Sequence, residues 1–162
     1  ASLTGHLVLS TVHTNSAIGA ITRLKDMQIE SFLLASSLKG IMAQRLLRRL
    51  CQKCKTPHAL SQGQAFYLNV KLEADVYQAK GCENCDFTGY LGRIGLAEYV
   101  VVDDVLKGLI HDNVSEKKMS EYAFKNRACI EKNSIQTVLD GITSFEELLR
   151  LNVVSDDANI SL

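Results

Sequence analysis

Apolar residues along this chain switch between two rhythms. Leu7-Val-Leu-Ser-Thr-Val12 is a short, nearly continuous apolar run and predicts a strand buried on both faces of a parallel sheet. It ends in His13-Thr-Asn15, where Asn15 can cap a helix over about 16–27 with Ile18, Ile21 and Leu24 on its apolar side. A second helix is predicted at about 31–42, carrying Phe32, Leu33, Leu34, Leu38 and Ile41. Periodicity leaves Gln44–Leu50 open between a helical extension and a strand. Arg93–Val102 reads as a further strand. Beyond it the rhythm is helical. One helix starts at Asp103 or Asp104, one is capped by Ser115, and a third covers about 130–140, stopped by Gly141. Thr143-Ser-Phe-Glu146 has the form of a capping box opening a last helix with Phe145, Leu148, Leu149 and Leu151. Strand–helix–helix order without hairpin turns predicts an α/β layer.

Composition narrows the class without supplying chemistry. The chain has 162 residues, 46% hydrophobic and 22% charged, with one proline, which fits a compact fold and not a disordered one. Eighteen Lys and Arg balance eighteen Asp and Glu, so no global field draws nucleic acid or anionic lipid. No apolar stretch approaches the ~20 residues needed to span a bilayer, and no export signal is read. A chain opening on Ala1 is expected to be a piece of a longer protein.

The cysteines change the picture. Cys51-Gln-Lys-Cys54 and Cys82-Glu-Asn-Cys85 are two matched C-x-x-C loops, and two such loops supply a closed tetrahedral set of thiolates for structural Zn²⁺. Lys53, Lys55, Lys80, Arg48 and Arg49 are placed to offset the charge, and Gly81 and Gly89 to ease the turns. Two disulfides or a thioredoxin-like redox pair are the alternative readings. Cys129 stands outside the pattern and is expected to be a buried small hydrophobe.

Four motifs in order then resemble one family. Thr4-Gly-His-Leu-Val-Leu-Ser-Thr-Val-His-Thr-Asn15 is similar to the histidine box of the ATPases that drive type II secretion and type IV pilus assembly. Phe32–Leu38 and Ala43–Cys51 resemble the segments that follow it. Gly81–Cys85 with Thr88–Gly95 resembles the family's second cysteine pair and arginine turn, and Asp140–Glu147 its C-terminal helix pair. The resemblance covers about residues 1–152 and lies closer to the type II secretion members than to the pilus members.

The resemblance implies a RecA-like hexameric ATPase, cytoplasmic and docked on inner-membrane platform proteins, using ATP and Mg²⁺. The sequence has no G-x-x-x-x-G-K-[ST], whose amides and lysine would hold the phosphates. The expectation is therefore the C-terminal part of such an enzyme, inactive by itself. Its divisions would be 1–50 as core strands and helices, 51–92 as the four-cysteine subdomain, 93–152 as a returning strand with a helical subdomain, and 153–162 as a flexible tail. His13, just past a strand's C-terminal end, would report on the terminal phosphate; its bland reading is a bond to a backbone carbonyl. Arg93, in the turn Gly92–Gly95, would meet phosphate charge or else pair with Glu98. His6, roughly 20 Å away along the same strand, is a weaker candidate for coupling subunits. Arg45, Arg48 and Arg49 form a basic run whose default meaning is a solvated or inter-subunit face. A nucleic-acid-binding zinc ribbon, a redox protein and an interaction scaffold compete; the first lacks a basic face, its insert offering only Phe66, Tyr67, Tyr77, Phe87 and Tyr90.

Overall fold

The structure, a computed structural model, describes residues 2–157, with side chains through Leu151. Two helices, α1 (Ala17–Asp26) and α2 (Ser31–Ser37), lead into the long strand β1 (Gly40–Leu50). Then come β2 (Thr56–His58), α3 (Gln62–Leu68), β3 (Val76–Gln78) and the second long strand β4 (Tyr90–Val101). Four helices follow: α4 (Asp104–His111), α5 (Glu116–Ala123), α6 (Ile130–Leu139) and α7 (Phe145–Asp157). β1 pairs with β4, and β2 runs antiparallel to β3 with Pro57 opposite Tyr77. The described residues divide into two compact units, cut within β1 and β4: 2–44 with Ala97–Cys129, and Arg45–Leu96 with 130–157.

In the first unit the core gathers Ile18 and Ile21 of α1, Leu34 of α2, Val100 and Val102, Leu106 and Ile110 of α4 and Met119 of α5. On β4 the buried positions alternate, Leu96, Glu98 and Val100, as one covered sheet face requires. Asp103 caps α4 through the Leu106 amide at 2.9 Å and also accepts the Tyr122 hydroxyl at 2.8 Å, so α4 and α5 are tied at one carboxylate.

The second unit has its own core, Leu60, Leu68, Val76, Val138, Phe145 and Leu148, with the Tyr67 ring edge-on to Phe145 at 5.8 Å. A reciprocal capping box between Ser61 and Gln64 starts α3. The entry to α7 is bolted to β1. Thr143 Oγ1 donates to the Arg48 carbonyl at 2.8 Å, the Leu50 amide donates to Ile142 O, and the buried Glu147 carboxylate accepts both the backbone and the guanidinium of Arg48.

Several expectations are corrected. Leu7–Val12 is not a strand: it has no regular structure, and Leu7 and Leu9 are 86% and 88% exposed. An internal strand needs paired neighbours at its edges and layers packed over both faces, and the two described sheets pair β1 with β4 and β2 with β3 only. The roughly 20 Å separation of His6 and His13, built on that strand, goes with it. The helix expected to reach 42 stops at Ser37, and the ambiguous 44–50 belongs to β1. Ser16, not Asn15, caps α1, its Oγ accepting the Gly19 amide at 2.9 Å. The last helix starts one residue later than its capping box implied. Ser144 Oγ accepts the Glu147 amide, while Thr143 is spent on Arg48. Cys129 is half-buried, outside the core clusters. Of the expected tail, 153–157 are the end of α7, and 158–162 lie outside the described residues.

Candidate metal centre

Both C-x-x-C loops fold back on themselves by local hydrogen bonds. The amides of Cys54 and Lys55 donate to Cys51 O, and those of Cys85 and Phe87 to Cys82 O. The Cys51 amide donates to Gly89 O at 2.9 Å and so joins the first loop to the second. The second loop turns through left-handed backbone at Asp86, Phe87 and Gly89, with Gly81 at φ 103° on its other side. Gly81 is required twice over, since a Cβ there would lie 2.5 Å from the Phe87 carbonyl oxygen. Gly81→Ala should therefore cost about 2–3 kcal/mol and weaken metal retention, read as a lowered melting temperature and faster metal loss to a chelator. An alanine variant with parent-like melting and metal retention would contradict this account of the turn.

The result is a cluster of four sulfurs. Cys51, Cys54, Cys82 and Cys85 bring their Sγ atoms within 4.8 Å of one another, and Cys51, Cys54 and Cys85 are buried. Cys51–Cys82 is 3.9 Å, while Cys54–Cys85 and Cys82–Cys85 are each 3.8 Å. A tetrahedral ion with metal–sulfur bonds of ~2.3 Å, the zinc value, has edges of about 3.8 Å, so the donor set fits such an ion.

Backbone amides, not lysines, prepare these sulfurs for negative charge. The amides of Cys82 and Gly89 both donate to Cys85 Sγ at 3.2 Å, and Asn84 Nδ2 reaches Cys51 Sγ at 3.7 Å. Burial works against the Cys85 thiolate, yet those amides and the neighbouring thiols bring it down to about 7. The Lys53 amide lowers Cys51 against its burial, whereas burial dominates at Cys54 and pushes it up to about 11. The cations expected to help are partly engaged elsewhere. Lys55 donates to Gly141 O at 2.9 Å and lies over the Tyr77 ring, and Arg48 is held by Glu147. Asn84 sits inside its own C-x-x-C loop, a local signal that sequence reasoning passed over.

The other singled-out residues lie on the surface. His13 is exposed and makes no hydrogen bond among the described residues, so its backbone-carbonyl alternative is not realised. His6 is exposed, its Nδ1 3.0 Å from Thr4 Oγ1. Arg93 lies within β4 instead of a turn, exposed and without an ion pair among the described residues, and Glu98 is bonded to the Ala17 amide. Arg93 joins Arg45, Arg48 and Arg150 around a shallow groove of about 350 Å³ that contains one carboxylate, Glu147, so positive charge predominates there.

Comparison with known proteins gives this geometry its context. The chain is 50% identical over 153 residues to the type II secretion system protein E of Pseudomonas aeruginosa. It is 46% identical to the type II secretion system ATPase E of Vibrio cholerae and 44% to the type II secretion system protein E of Dickeya dadantii. Each alignment covers 93% of this chain and 30% of the relative, so the chain spans about a third of their length. The sequence model of the family described as type II/IV secretion system protein matches residues 1–150, and the chain belongs to that family.

Proposed function

We propose that this chain is the C-terminal part of a hexameric ATPase that powers protein export and pseudopilus assembly in type II secretion. The observation that carries this reading is the similarity across 93% of the chain to relatives that include one named a type II secretion system ATPase. In this reading residues 1–50 complete a RecA-like nucleotide-binding core. The parent works in the cytoplasm against inner-membrane platform proteins; among the described residues no helix is long and apolar enough to cross a membrane.

The four cysteines hold one structural Zn²⁺. With all four positions taken by thiolates, no site stays open for substrate, so the ion supports the fold and not the chemistry. His13 senses the terminal phosphate of ATP held with Mg²⁺. Arg93, a planar cation without an ion pair among the described residues, stabilises charge that develops on transferred phosphate. His6 contributes to coupling between subunits.

Two measurements test the proposal. The intact parent should release phosphate from ATP, whereas this chain alone, lacking the glycine loop and its lysine, should release none. EDTA-sensitive hydrolysis by the purified chain would overturn the assignment of its role, and a parent without ATP turnover would overturn the ATPase reading. Metal analysis should find one zinc per chain.

A further inference from the structure

Glu98 stands where the fold calls for an apolar residue. It lies between Leu96 and Val100 on the inward face of β4 and is only 5% exposed. Burying a carboxylate is costly unless hydrogen bonds or an opposite charge compensate it. Its Oε1 accepts the Ala17 amide at 2.6 Å, a bond across 81 positions of sequence. Ala17 is the first residue of α1, and that helix already has an ordinary cap in Ser16. Glu98 is therefore a second anchor, which fixes where α1 begins relative to β4, where a cap internal to the helix cannot.

The chain just before that anchor is the segment carrying His13. Thr14 Oγ1 donates to Ser16 O at 3.2 Å, which folds the segment onto the start of the helix. Gly19 keeps the space beneath it clear: a Cβ there would come within 2.8 Å of both Thr14 Oγ1 and Ser16 Oγ. The His13 ring itself has no hydrogen-bond partner among the described residues. What aims it acts through its backbone, and a few residues on that backbone is tied to β4 by the Glu98–Ala17 bond.

We propose that Glu98 is a positioning residue for His13: its buried carboxylate pins the first amide of α1 to β4 and so sets where the preceding histidine is held. This rests on the reading of His13 as a residue acting on bound nucleotide. The bond to the Ala17 amide needs an accepting oxygen, so glutamine should serve and leucine should not.

The test has two arms. In this chain, heteronuclear NOE values at the amides of His13, Thr14 and Asn15 should fall in Glu98→Leu and stay near the parent values in Glu98→Gln. In the intact ATPase, Glu98→Leu should lower kcat on the order of tenfold or more with KM for ATP little changed, since misplacing a reacting group costs rate more than binding. Glu98→Gln should restore most of it. Asp103→Ala, which removes the α4 cap in the same unit, controls for lost stability and should leave kcat near the parent value at a comparable drop in melting temperature. Ordered amides at 13–15 in Glu98→Leu, parent-like kcat, or an equal loss in Asp103→Ala would overturn the proposal. If the intact parent shows no ATP turnover at all, the functional reading fails, and the NOE arm alone decides whether Glu98 orders the histidine segment.

Discussion

Replacing Cys85 with serine should unfold most of the second unit while the first keeps its core. Cys85 Sγ is 3.8 Å from both Cys54 Sγ and Cys82 Sγ and accepts two backbone amides. A structural thiolate site contributes about 10–16 kcal/mol of apparent binding energy, comparable to or larger than the ~5–15 kcal/mol stability of a whole domain. The remaining support of that unit is a small core, Leu60, Leu68, Val76, Val138, Phe145 and Leu148, fed by two three-residue strands, the short α3 and the helices α6 and α7. Such a core cannot hold the loops closed without the ion. The expected result is loss of bound metal, loss of near-ultraviolet signal from Tyr67, Tyr77 and Tyr90, and survival of amide signals from α1, α4 and α5. One metal per chain with parent-like melting in Cys85→Ser would reject the four-sulfur centre.

The centre was readable in advance because its cause is local. A C-x-x-C loop turns its two sulfurs toward one point whatever surrounds it, and Gly81 and Gly89 mark the positions where the backbone must go left-handed. Asp103 was readable as a helix cap for the same reason, whereas Ser115 stands at the start of α5 without a side-chain capping bond. What was misread depended on distant chain. Leu7–Val12 has the composition of an internal strand, but composition does not say which segment supplies its neighbours. Gln44–Leu50 could not be resolved because its three apolar positions, Leu46, Leu47 and Leu50, are too few to decide between a helix and a strand; pairing with β4 makes it a strand. Arg48 read as one of a solvated basic run, and its carboxylate lies 99 positions away. Glu98 likewise looked like a surface acid available to Arg93, when the alternation of β4 turns it inward.

Arg48→Met should destabilise the second unit by about 2 kcal/mol at neutral pH, with a penalty that fades as the solution is acidified. Breaking a buried pair costs about 3–5 kcal/mol, and the smaller figure allows for solvent around Arg48, whose side chain is 41% exposed. Glu147 is only 5% exposed. It accepts Arg48 Nε at 2.8 Å, the Arg48 amide at 3.0 Å and Arg150 Nη1 at 3.1 Å, while the Arg48 guanidinium lies 4.0 Å above the Tyr90 ring. Burial pushes the Glu147 carboxyl upward, but the Arg48 bonds and charge outweigh it and hold the group below its ordinary 4.5. A depressed folded value means that the ionised form stabilises the native state above the unfolded value, and that this stability is lost as pH falls through the folded one. Without Arg48 burial prevails, the carboxyl moves above its ordinary value, and the sign reverses: the native state then favours the protonated acid. The gap between parent and Arg48→Met should be widest near pH 7 and narrow at acid pH below 4.5, as the parent carboxyl approaches its lowered value and begins to take up its proton. The double variant Arg48→Met, Glu147→Leu should regain much of the loss at pH 7, because no buried charge is left unpaired. Urea unfolding followed at both pH values decides the matter: a gap that stays constant, or a single variant as stable as the parent, would mean that the clasp between β1 and α7 is not electrostatic.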